Sequence, residues 1–271
     1  MYIGVDIGGT KTLVGCLNDE GVIQQKIKFP TPHEYKDFLK ELANAVDKLS
    51  TNDFRAAGVA IPGKLDRQHG RVIALGNLPW RNAPIQTDIE HIVHCPVAIE
   101  NDAKLAALSE AMLLKEHRRV LYITVSTGIG TGVVQDGKLA PSLIDAESGQ
   151  MWLEHKGKLA RWETFASGKA IVEQFGKQAS EIQDSATWKI IAHNITLGLL
   201  ELIAVIQPDA IVFGGAVSDY FDRFAPPLAK ELSKYETPLT PTPIILQAKR
   251  PEEAVLFGCY DLAKTHYGHS A

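Results

Sequence analysis

Short apolar runs alternate with longer amphipathic segments along this chain. The first runs predict strands at Tyr2–Ile7, Thr12–Leu17 and Val22–Lys28, and the polar turn at 18–21 predicts that they form antiparallel hairpins. Apolar residues at helical spacing then predict a helix over Glu34–Leu49. Because strands and helices alternate in this way mainly in α/β proteins, we predict an α/β fold.

The same reasoning extends to the end of the chain. It predicts further strands at Ala57–Ile61, Val97–Ile99, Val120–Val125, Gly132–Gln135, Ala210–Phe213 and Ile244–Gln247. It predicts further helices at Ile85–Val93, Ala103–Leu114, Glu163–Phe175, Ala186–Ile206, Asp219–Leu232 and Glu252–His266.

One pattern occurs twice. Residues 2–21 and 120–137 both run from an apolar strand through a Gly/Thr turn into a second strand and an acidic-Gly turn. A repeated pattern predicts two related domains. We expect residues 1–105 to form a smaller N-terminal α/β domain and residues 106–271 a larger C-terminal α/β domain, with the last helix, 252–266, packing back on the N-terminal domain.

Composition narrows the function classes. Hydrophobic residues are 45% of the 271 residues, and this content excludes a chain that is mainly disordered. The formal net charge is -4, so the protein has no general electrostatic attraction to nucleic acid or to an anionic membrane. The three cysteines form no CxxC pair, and the longest apolar stretch, Ile195–Ile206, is shorter than the roughly 20 residues that span a bilayer. Because the chain enters an apolar run at Tyr2 without a basic region or a cleavage site, we expect no secretion signal. We expect a cytoplasmic protein with neither a nucleic-acid nor a membrane partner.

Three glycine-rich turns carry candidate chemistry. In Asp6–Lys11 the glycines let backbone N–H groups approach phosphates, Thr10 adds a hydroxyl, and Asp6 offers a carboxylate to hydrated Mg²⁺. Ser126–Gly132 leads from strand to strand, which argues against a dinucleotide site and suits a second phosphate clamp. Phe213–Ser218 precedes a helix and can pack against a base or ribose. Taken alone, an ordinary turn explains the first equally well and the third better.

Asn101 and Asp102 lie where a strand meets a helix. Both residue types commonly cap helices. An aspartate in a dry cleft can also accept the proton of a substrate hydroxyl, so Asp102 is a candidate general base. The local pattern leaves both interpretations open. Two interpretations are likewise open for Trp80: its ring either stacks on a sugar face or packs in the core.

Taken together and in order, these motifs resemble those of the ROK family of bacterial sugar kinases, within the actin-like and hexokinase-like ATPase superfamily. The resemblance covers nearly the whole chain and implies two ribonuclease H-like domains flanking a cleft. The matching segments are Asp6–Lys11 and Thr127–Gly130 (phosphate turns), Pro62-Gly63, Asn77–Trp80, Asn101–Ala103, Glu147–Gln150, Glu163 with Ala166–Gly168, and Gly214-Gly215.

The resemblance implies transfer of a phosphoryl group from ATP to the 6-hydroxyl of a hexose, with Asp102 as the general base and a homodimeric state. It implies that the sugar is bound by Gly63, Asn77, Asn101, Asp102, Glu147, Gln150 and Glu163. It implies that the nucleotide is bound by Asp6, Gly8, Gly9, Thr10, Lys11, Thr127, Gly128, Gly214 and Gly215. Mg²⁺ would be held through water by Asp6.

This sequence departs from the family pattern twice. Gln150 stands where the family usually has a zinc-binding histidine, and 151–162 lacks the family's usual CxCGxxGC cluster, so we expect no zinc site. Zinc-free members include polyphosphate-using glucokinases, which keeps polyphosphate open as the donor. Glu147 with Glu163, and the segment Asn77–Trp80, favour glucose over fructose, mannose, N-acetylmannosamine or N-acetylglucosamine.

A sugar-binding regulator is the alternative from another class. Regulators of this family carry an N-terminal helix-turn-helix. Because the first predicted strand begins at Tyr2, we expect none here, and the acidic net charge does not suit DNA.

Overall fold

The computed structural model of the protein describes residues 1–76, 78–250 and 253–268, so Asn77 and Glu252 lie outside the described residues. Backbone contacts group the chain into two units. The first begins at Met1, ends at Ser109 and also includes the C-terminal helix. The second begins at Glu110 and contains the rest of the chain.

The elements of the first half of the chain are β1 (Tyr2–Ile7), β2 (Lys11–Leu17), β3 (Ile23–Pro30), α1 (Tyr35–Val46), β4 (Ala56–Ile61), β5 (Lys64–Asp66), β6 (Arg71–Ala74), β7 (Arg81–Ala83), α2 (Ile85–Val93), β8 (Val97–Asn101) and α3 (Asp102–Ala111). Those of the second half are β9 (Arg119–Val125), β10 (Ile129–Gln135), β11 (Lys138–Leu139), β12 (Trp152–His155), β13 (Lys158–Arg161), α4 (Glu163–Ala166), α5 (Gly168–Phe175), α6 (Ser185–Ile206), β14 (Ala210–Gly214), α7 (Phe221–Leu232), β15 (Ile244–Gln247) and α8 (Ala254–Tyr267).

The sheet of the first unit has the order β3-β2-β1-β4-β8. The first three strands are antiparallel neighbours, and β1, β4 and β8 are parallel. Its core joins the buried faces of α1 and α2 to the sheet, with Phe38 and Leu42 fully buried. A parallel strand that is covered by helices on both faces needs a nearly continuous apolar sequence. Strand β4 has such a sequence and is buried along its whole length.

Helix α8 packs against the same sheet across a row of glycines. Gly15, Gly4 and Gly58 are neighbours on β2, β1 and β4. A Cβ atom on Gly58 would lie 2.0 Å from the backbone oxygen of Cys259, and one on Gly4 would lie 2.7 Å from the Leu256 side chain. The absence of side chains along this row therefore lets α8 approach the strands closely.

The sheet of the second unit repeats this plan. Its order is β11-β10-β9-β14-β15, with antiparallel pairs first and parallel pairs after β9. The repeated sequence pattern thus corresponds to a repeated topology. Helices α6 and α7 pack on each other in a core that includes the buried rings of Trp162, Trp188 and Phe213.

Helix α6 is the most apolar long element of this core. Its 22 residues are long and apolar enough, by length and composition, to cross a bilayer. The helix is longer than the apolar stretch Ile195–Ile206 seen in the sequence. Gly198 lies against the buried Trp162 ring, and 56% of the most apolar 18-residue part of α6 is buried inside the protein. This is the burial expected of a core helix.

Several predicted elements differ from the structure. The predicted helix Glu163–Phe175 is two helices, α4 and α5, because Ser167 has an extended backbone and its Oγ accepts from the backbone N of Ala170 to cap α5. The predicted helix Asp219–Leu232 is a 3₁₀ turn followed by α7. The short strands β5 to β7 and the hairpin β12–β13 were not predicted.

Candidate functional site

The first glycine turn connects β1 to β2. The backbone N of Gly8 donates to the backbone O of Lys11 at 2.9 Å, and a Cβ on Gly8 would lie 2.7 Å from that oxygen. Thr31 fixes the turn from the end of β3: its Oγ1 donates to the O of Gly8 at 2.8 Å and its N donates to the O of Thr10 at 3.0 Å. The side chains of Thr10 and Lys11 are exposed, so the turn presents them to solvent.

Asp6 lies at the end of β1, directly before this turn. The pKa of Asp6 is raised from 3.8 to about 7, first by burial and second by the negative charge of Asp102, while the positive charge of Lys28 opposes both. The carboxylates of Asp6 and Asp102 therefore interact electrostatically. A cation beside Asp6 would offset both the burial and the repulsion, and a hard carboxylate oxygen suits Mg²⁺.

Asn101 and Asp102 lie at the junction of β8 and α3. Asn101 caps the helix, because its Oδ1 accepts from the backbone N of Ala103 at 3.0 Å and of Lys104 at 3.4 Å. Asp102 Oδ1 also accepts from Ala103 N, at 2.8 Å. Burial raises the pKa of the Asp102 carboxyl, while the backbone hydrogen bonds to this carboxylate from Ala103 and from Asp102 itself, and the Lys104 charge, lower it. A carboxylate withdrawn from water in this way has the enhanced basicity that a proton acceptor needs.

Gly63 is linked to Asn101. The Nδ2 of Asn101 donates to the O of Gly63 at 3.4 Å. Gly63 has a φ of 125°, and a Cβ there would lie 2.4 Å from the backbone O of Ala74. Both facts require glycine at this position. The predicted sugar-binding residues Gly63, Asn101 and Asp102 are thus brought together in the first unit.

In the second unit, the turn between β9 and β10 is tight. The backbone N of Ser126 donates to the O of Gly128 at 2.9 Å, and Thr127 between them is exposed. The backbone N of Gly168, at the start of α5, donates to the O of Ser126 at 2.6 Å. The helix break at Ser167 therefore places the first residue of α5 on the second glycine turn.

The segment Glu147–Gln150 lies against β10. Ser148 Oγ and Thr131 Oγ1 are 2.8 Å apart and share a hydrogen bond. A Cβ on Gly149 would lie 2.3 Å from the backbone O of Ile129, so this contact requires glycine. Glu147 and Gln150 at the two ends of the segment are exposed.

Glu163 begins α4 and lies beside both of these segments. Its Oε2 is 2.9 Å from the position of a Cβ on Gly128 and 3.3 Å from that of a Cβ on Gly149. Its Oε1 accepts from Gln150 Nε2 at 2.7 Å. The predicted residues Thr127, Gly128, Gln150 and Glu163, which are far apart in sequence, therefore form one cluster in the second unit.

Gly214 is the last residue of β14, the strand next to β9, and Gly215 follows it. Gly215 has a φ of 80°, and its O accepts from Ser218 N at 2.9 Å and from Ser218 Oγ at 2.7 Å. A Cβ on Gly215 would lie 2.6 Å from Thr124 Oγ1, and one on Gly214 would lie 2.0 Å from the Tyr122 hydroxyl. This third turn therefore packs against the last residues of β9, immediately before the second glycine turn.

Trp80 is a core residue. It is 3% exposed, its Nε1 donates to the O of His33 at 2.8 Å, and its ring lies 4.7 Å from that of Phe38. The alternative of stacking on a sugar face is wrong for this side chain.

Metal ligands were also considered. Within residues 1–76, 78–250 and 253–268, no three His, Cys, Asp or Glu side chains group closely enough to hold a metal ion. Cys16, Cys95 and Cys259 are buried thiols.

Sequence reasoning missed several residues of these clusters. Thr31 fixes the first glycine turn, Arg67 pairs with Glu100 beside Asn101, and Arg161 contacts Gln150. Among these residues and their partners, only Glu100 could have been noticed in the sequence, because it is a charged residue at the end of the apolar run before Asn101. The others became visible only with the tertiary structure.

The two repeated sheets, with glycine turns at their strand ends, define a protein of the actin-like ATPase fold. The sequence profile of the ROK family matches residues 2–266, and the chain belongs to that family. The predicted fold class and the family resemblance are both confirmed.

Two relatives and one solved structure show the range of similarity. The glucokinase of Streptomyces coelicolor is 29% identical over 97% of this chain and 98% of its own length. The N-acetyl-D-glucosamine kinase of Salmonella typhimurium is 28% identical over 95% of this chain and 97% of its own. The ROK family glucokinase of Streptomyces griseus, solved in complex with glucose and AMPPNP, is 28% identical, with a TM-score of 0.81 and coverage of 97% of this chain and 99% of that chain.

Proposed function

We propose that this protein is an ATP-dependent sugar kinase that phosphorylates a hexose, with glucose as the substrate and its 6-hydroxyl as the acceptor. The observation that carries the proposal is the placement of Asp102, a carboxylate of raised pKa held at the β8–α3 junction beside Asn101 and Gly63. Membership of the ROK family, and similarity to glucokinases over nearly the whole chain, support the same activity.

Asp102 acts as the general base. It accepts the proton of the attacking hydroxyl, whose oxygen then forms a bond to the γ-phosphorus of ATP. The bond between that phosphorus and the bridging oxygen of ADP breaks, and the products are ADP and the hexose 6-phosphate. Assistance of this kind accelerates a reaction by roughly 10²–10⁴-fold. Asn101 and the backbone of Gly63 hold the sugar so that the hydroxyl stays in line with the phosphate.

The two glycine turns are the proposed phosphate contacts. In the first unit, Gly9, Thr10 and Lys11 offer backbone N–H groups, a hydroxyl and a cation, and Gly8 shapes the turn through the hydrogen bond from its N to the O of Lys11. In the second unit, Thr127 and Gly128 offer backbone N–H groups and a hydroxyl, and Gly214 with Gly215 form a flat backbone surface for the adenosine. When bound through water at Asp6, Mg²⁺ neutralises charge on the phosphates.

Glu147, Gln150 and Glu163 are the proposed partners of the remaining sugar hydroxyls. Each hydroxyl is both donor and acceptor, and these side chains supply acceptor oxygens and an amide donor on neighbouring positions. The 2.7 Å hydrogen bond between Gln150 and Glu163 fixes the two side chains relative to each other before sugar binds.

The experiment is a panel of hexoses and N-acetylhexosamines crossed with ATP and polyphosphate, read by ADP release and by formation of sugar phosphate. The expected result is ADP release that depends on glucose and Mg²⁺. Turnover of another sugar, or of polyphosphate alone, would replace that part of the proposal. Sugar binding without any turnover would identify a sugar-binding regulator instead.

The cellular setting completes the proposal. We propose a cytoplasmic location, where ATP is available and where reducing conditions suit the three buried thiols. We propose a homodimer, which sedimentation of the purified protein would test.

A further inference from the structure

Gln150 uses both ends of its side-chain amide. Its Oε1 accepts from Arg161 Nη1 at 3.0 Å, and its Nε2 donates to Glu163 Oε1 at 2.7 Å. A guanidinium can only donate and an ionised carboxylate can only accept. The two partners therefore fix which end of the Gln150 amide faces which way, because the opposite orientation would set donor against donor and acceptor against acceptor.

This orientation determines which groups remain for a ligand. Gln150 Nε2 keeps one N–H beyond the one given to Glu163. The other oxygen of Glu163, Oε2, lies beside Gly128 and Gly149, two residues without a side chain. A donor and an acceptor are thereby presented side by side, which matches two adjacent hydroxyl groups.

Arg161 is itself held in place by the hairpin that precedes α4. It pairs with Trp152 across β12 and β13, and its guanidinium lies over the Trp152 ring, 6.0 Å from the ring centre. The next residue, Trp162, is fully buried, and its backbone N donates to the O of Met151 at 2.8 Å. The exposed Trp152 ring, at 65% exposure, thus supports the cation that contacts Gln150.

We propose that Arg161 is a positioning residue for sugar binding, acting through Gln150 on the carboxylate of Glu163. This role of Arg161 rests on the function proposed above. It gives a function to the β12–β13 hairpin, which contains none of the site residues predicted from the sequence. Arg161 contacts neither the sugar nor the phosphates in this scheme. Its loss releases the Gln150 amide to rotate, so Glu163 loses a fixed neighbour and the sugar is bound less tightly.

The test compares Arg161→Met, which removes the guanidinium but keeps most of the stem, with Arg161→Lys, which keeps one cationic donor. We expect Arg161→Met to raise the KM for the hexose about tenfold, with kcat and the KM for ATP changed by less than about twofold. Arg161→Lys should recover part of the loss. Lys158→Met is the matched control, since it removes a cation from the same strand, and it should behave as the wild type.

A double-mutant cycle with Gln150→Ala distinguishes action through Gln150 from a general structural effect. If Arg161 acts through Gln150, Arg161→Met causes no further change in hexose affinity once Gln150 is alanine. Additive effects, or an unchanged hexose KM in Arg161→Met alone, would overturn the inference. Urea unfolding of each variant separates loss of affinity from loss of folding.

Calorimetric titration of hexose without ATP separates this inference from the proposed function. A wild-type chain that binds glucose but releases no ADP would refute the kinase activity. Its glucose Kd would still report on Arg161, with the same tenfold weakening expected and an unchanged Kd counting against the inference. A wild-type chain that turns over hexose while Arg161→Met keeps normal affinity would refute only the inference.

Discussion

Arg67 donates two hydrogen bonds to the buried carboxylate of Glu100, from Nε to Oε2 at 2.8 Å and from Nη2 to Oε1 at 2.5 Å. Glu100 is 4% exposed, and its Oε1 also accepts from the backbone N of Asn101 at 2.6 Å. The ion pair therefore acts on the backbone directly before Asp102. A paired, hydrogen-bonded charge of this kind fixes the end of β8 and with it the start of α3.

Removing one member of this pair leaves the other charge buried. We predict that Arg67→Met lowers the free energy of unfolding by about 3 kcal/mol, since breaking a buried ion pair typically costs this much. Urea unfolding measures the change. The double variant Arg67→Met with Glu100→Met is the control, and it should recover much of the loss because no charge is left unpaired. Equal instability of the single and double variants would contradict this explanation.

The general base is tested by Asp102→Asn, which keeps the shape and the contact to Ala103 but cannot accept a proton. We predict that hexose binding survives while kcat falls by about 10²–10⁴-fold. Calorimetry and the ADP-release assay measure the two quantities separately. Asp47→Asn, at an exposed position after α1, is the matched control. A near-normal kcat in Asp102→Asn would rule out the role.

Asp6 makes stability depend on pH. Because its pKa in the folded protein is about 7, against an ordinary value of 3.8, the folded chain holds this proton more tightly than the unfolded chain does. The stabilisation that the proton on Asp6 gives the folded protein is therefore fully present below pH 4, and it is lost as the pH rises through 7. We predict that Asp6→Asn, which cannot ionise, is more stable than the wild type at pH 8 and that the difference disappears towards pH 4.

Urea unfolding at several pH values, in a chelator and without nucleotide, measures this effect. Added Mg²⁺ should stabilise the wild type more at pH 8 than at pH 5, since a cation binds the ionised carboxylate. The same additions should have little effect on Asp6→Asn. Parallel pH profiles for the two proteins would show that Asp6 does not carry the dependence.

The glycine row under α8 predicts a strong effect of one methyl group. Gly58→Ala places a Cβ where the backbone of Cys259 lies, so α8 must move away from the sheet. We predict a loss of about 1–3 kcal/mol in the free energy of unfolding, as is typical of overpacked cores. Gly76→Ala is the control, because a Cβ there meets nothing within 4 Å. Similar losses in both variants would mean that the close packing of α8 is not the cause.

The sequence predicted the elements well where the pattern was long. The bounds predicted for α2 and β1, Ile85–Val93 and Tyr2–Ile7, agree with the structure. The hairpin β12–β13 was missed because the exposed Trp152 and Leu159 disturb the alternation of apolar and polar positions. Short strands are set by tertiary contacts rather than by local pattern.

The candidate site shows the same division. Glycines in strand-end turns are visible in the sequence, and the structure shows why they stand there. A Cβ on Gly8, Gly128 or Gly214 would lie within 3 Å of another atom, and Gly215 has a positive φ. Gly149, Glu163 and Gly168 lie in segments that the family resemblance singles out, but their contacts with one another and with Ser126 could not be found in this way, because these contacts join different elements of the fold. Arg161 lay outside the motifs altogether, because a surface arginine in sequence gives no sign of the amide it will contact.

The C-terminal position of α8 affects how the protein is made. The ribosome releases β1 and β4 early, but the helix that covers their glycine row emerges only after residues 110–250. We therefore expect the second unit to fold first, against the usual N-to-C order of domain folding during translation. Until α8 emerges, one face of the earliest sheet stays uncovered, and we expect a chaperone to bind there.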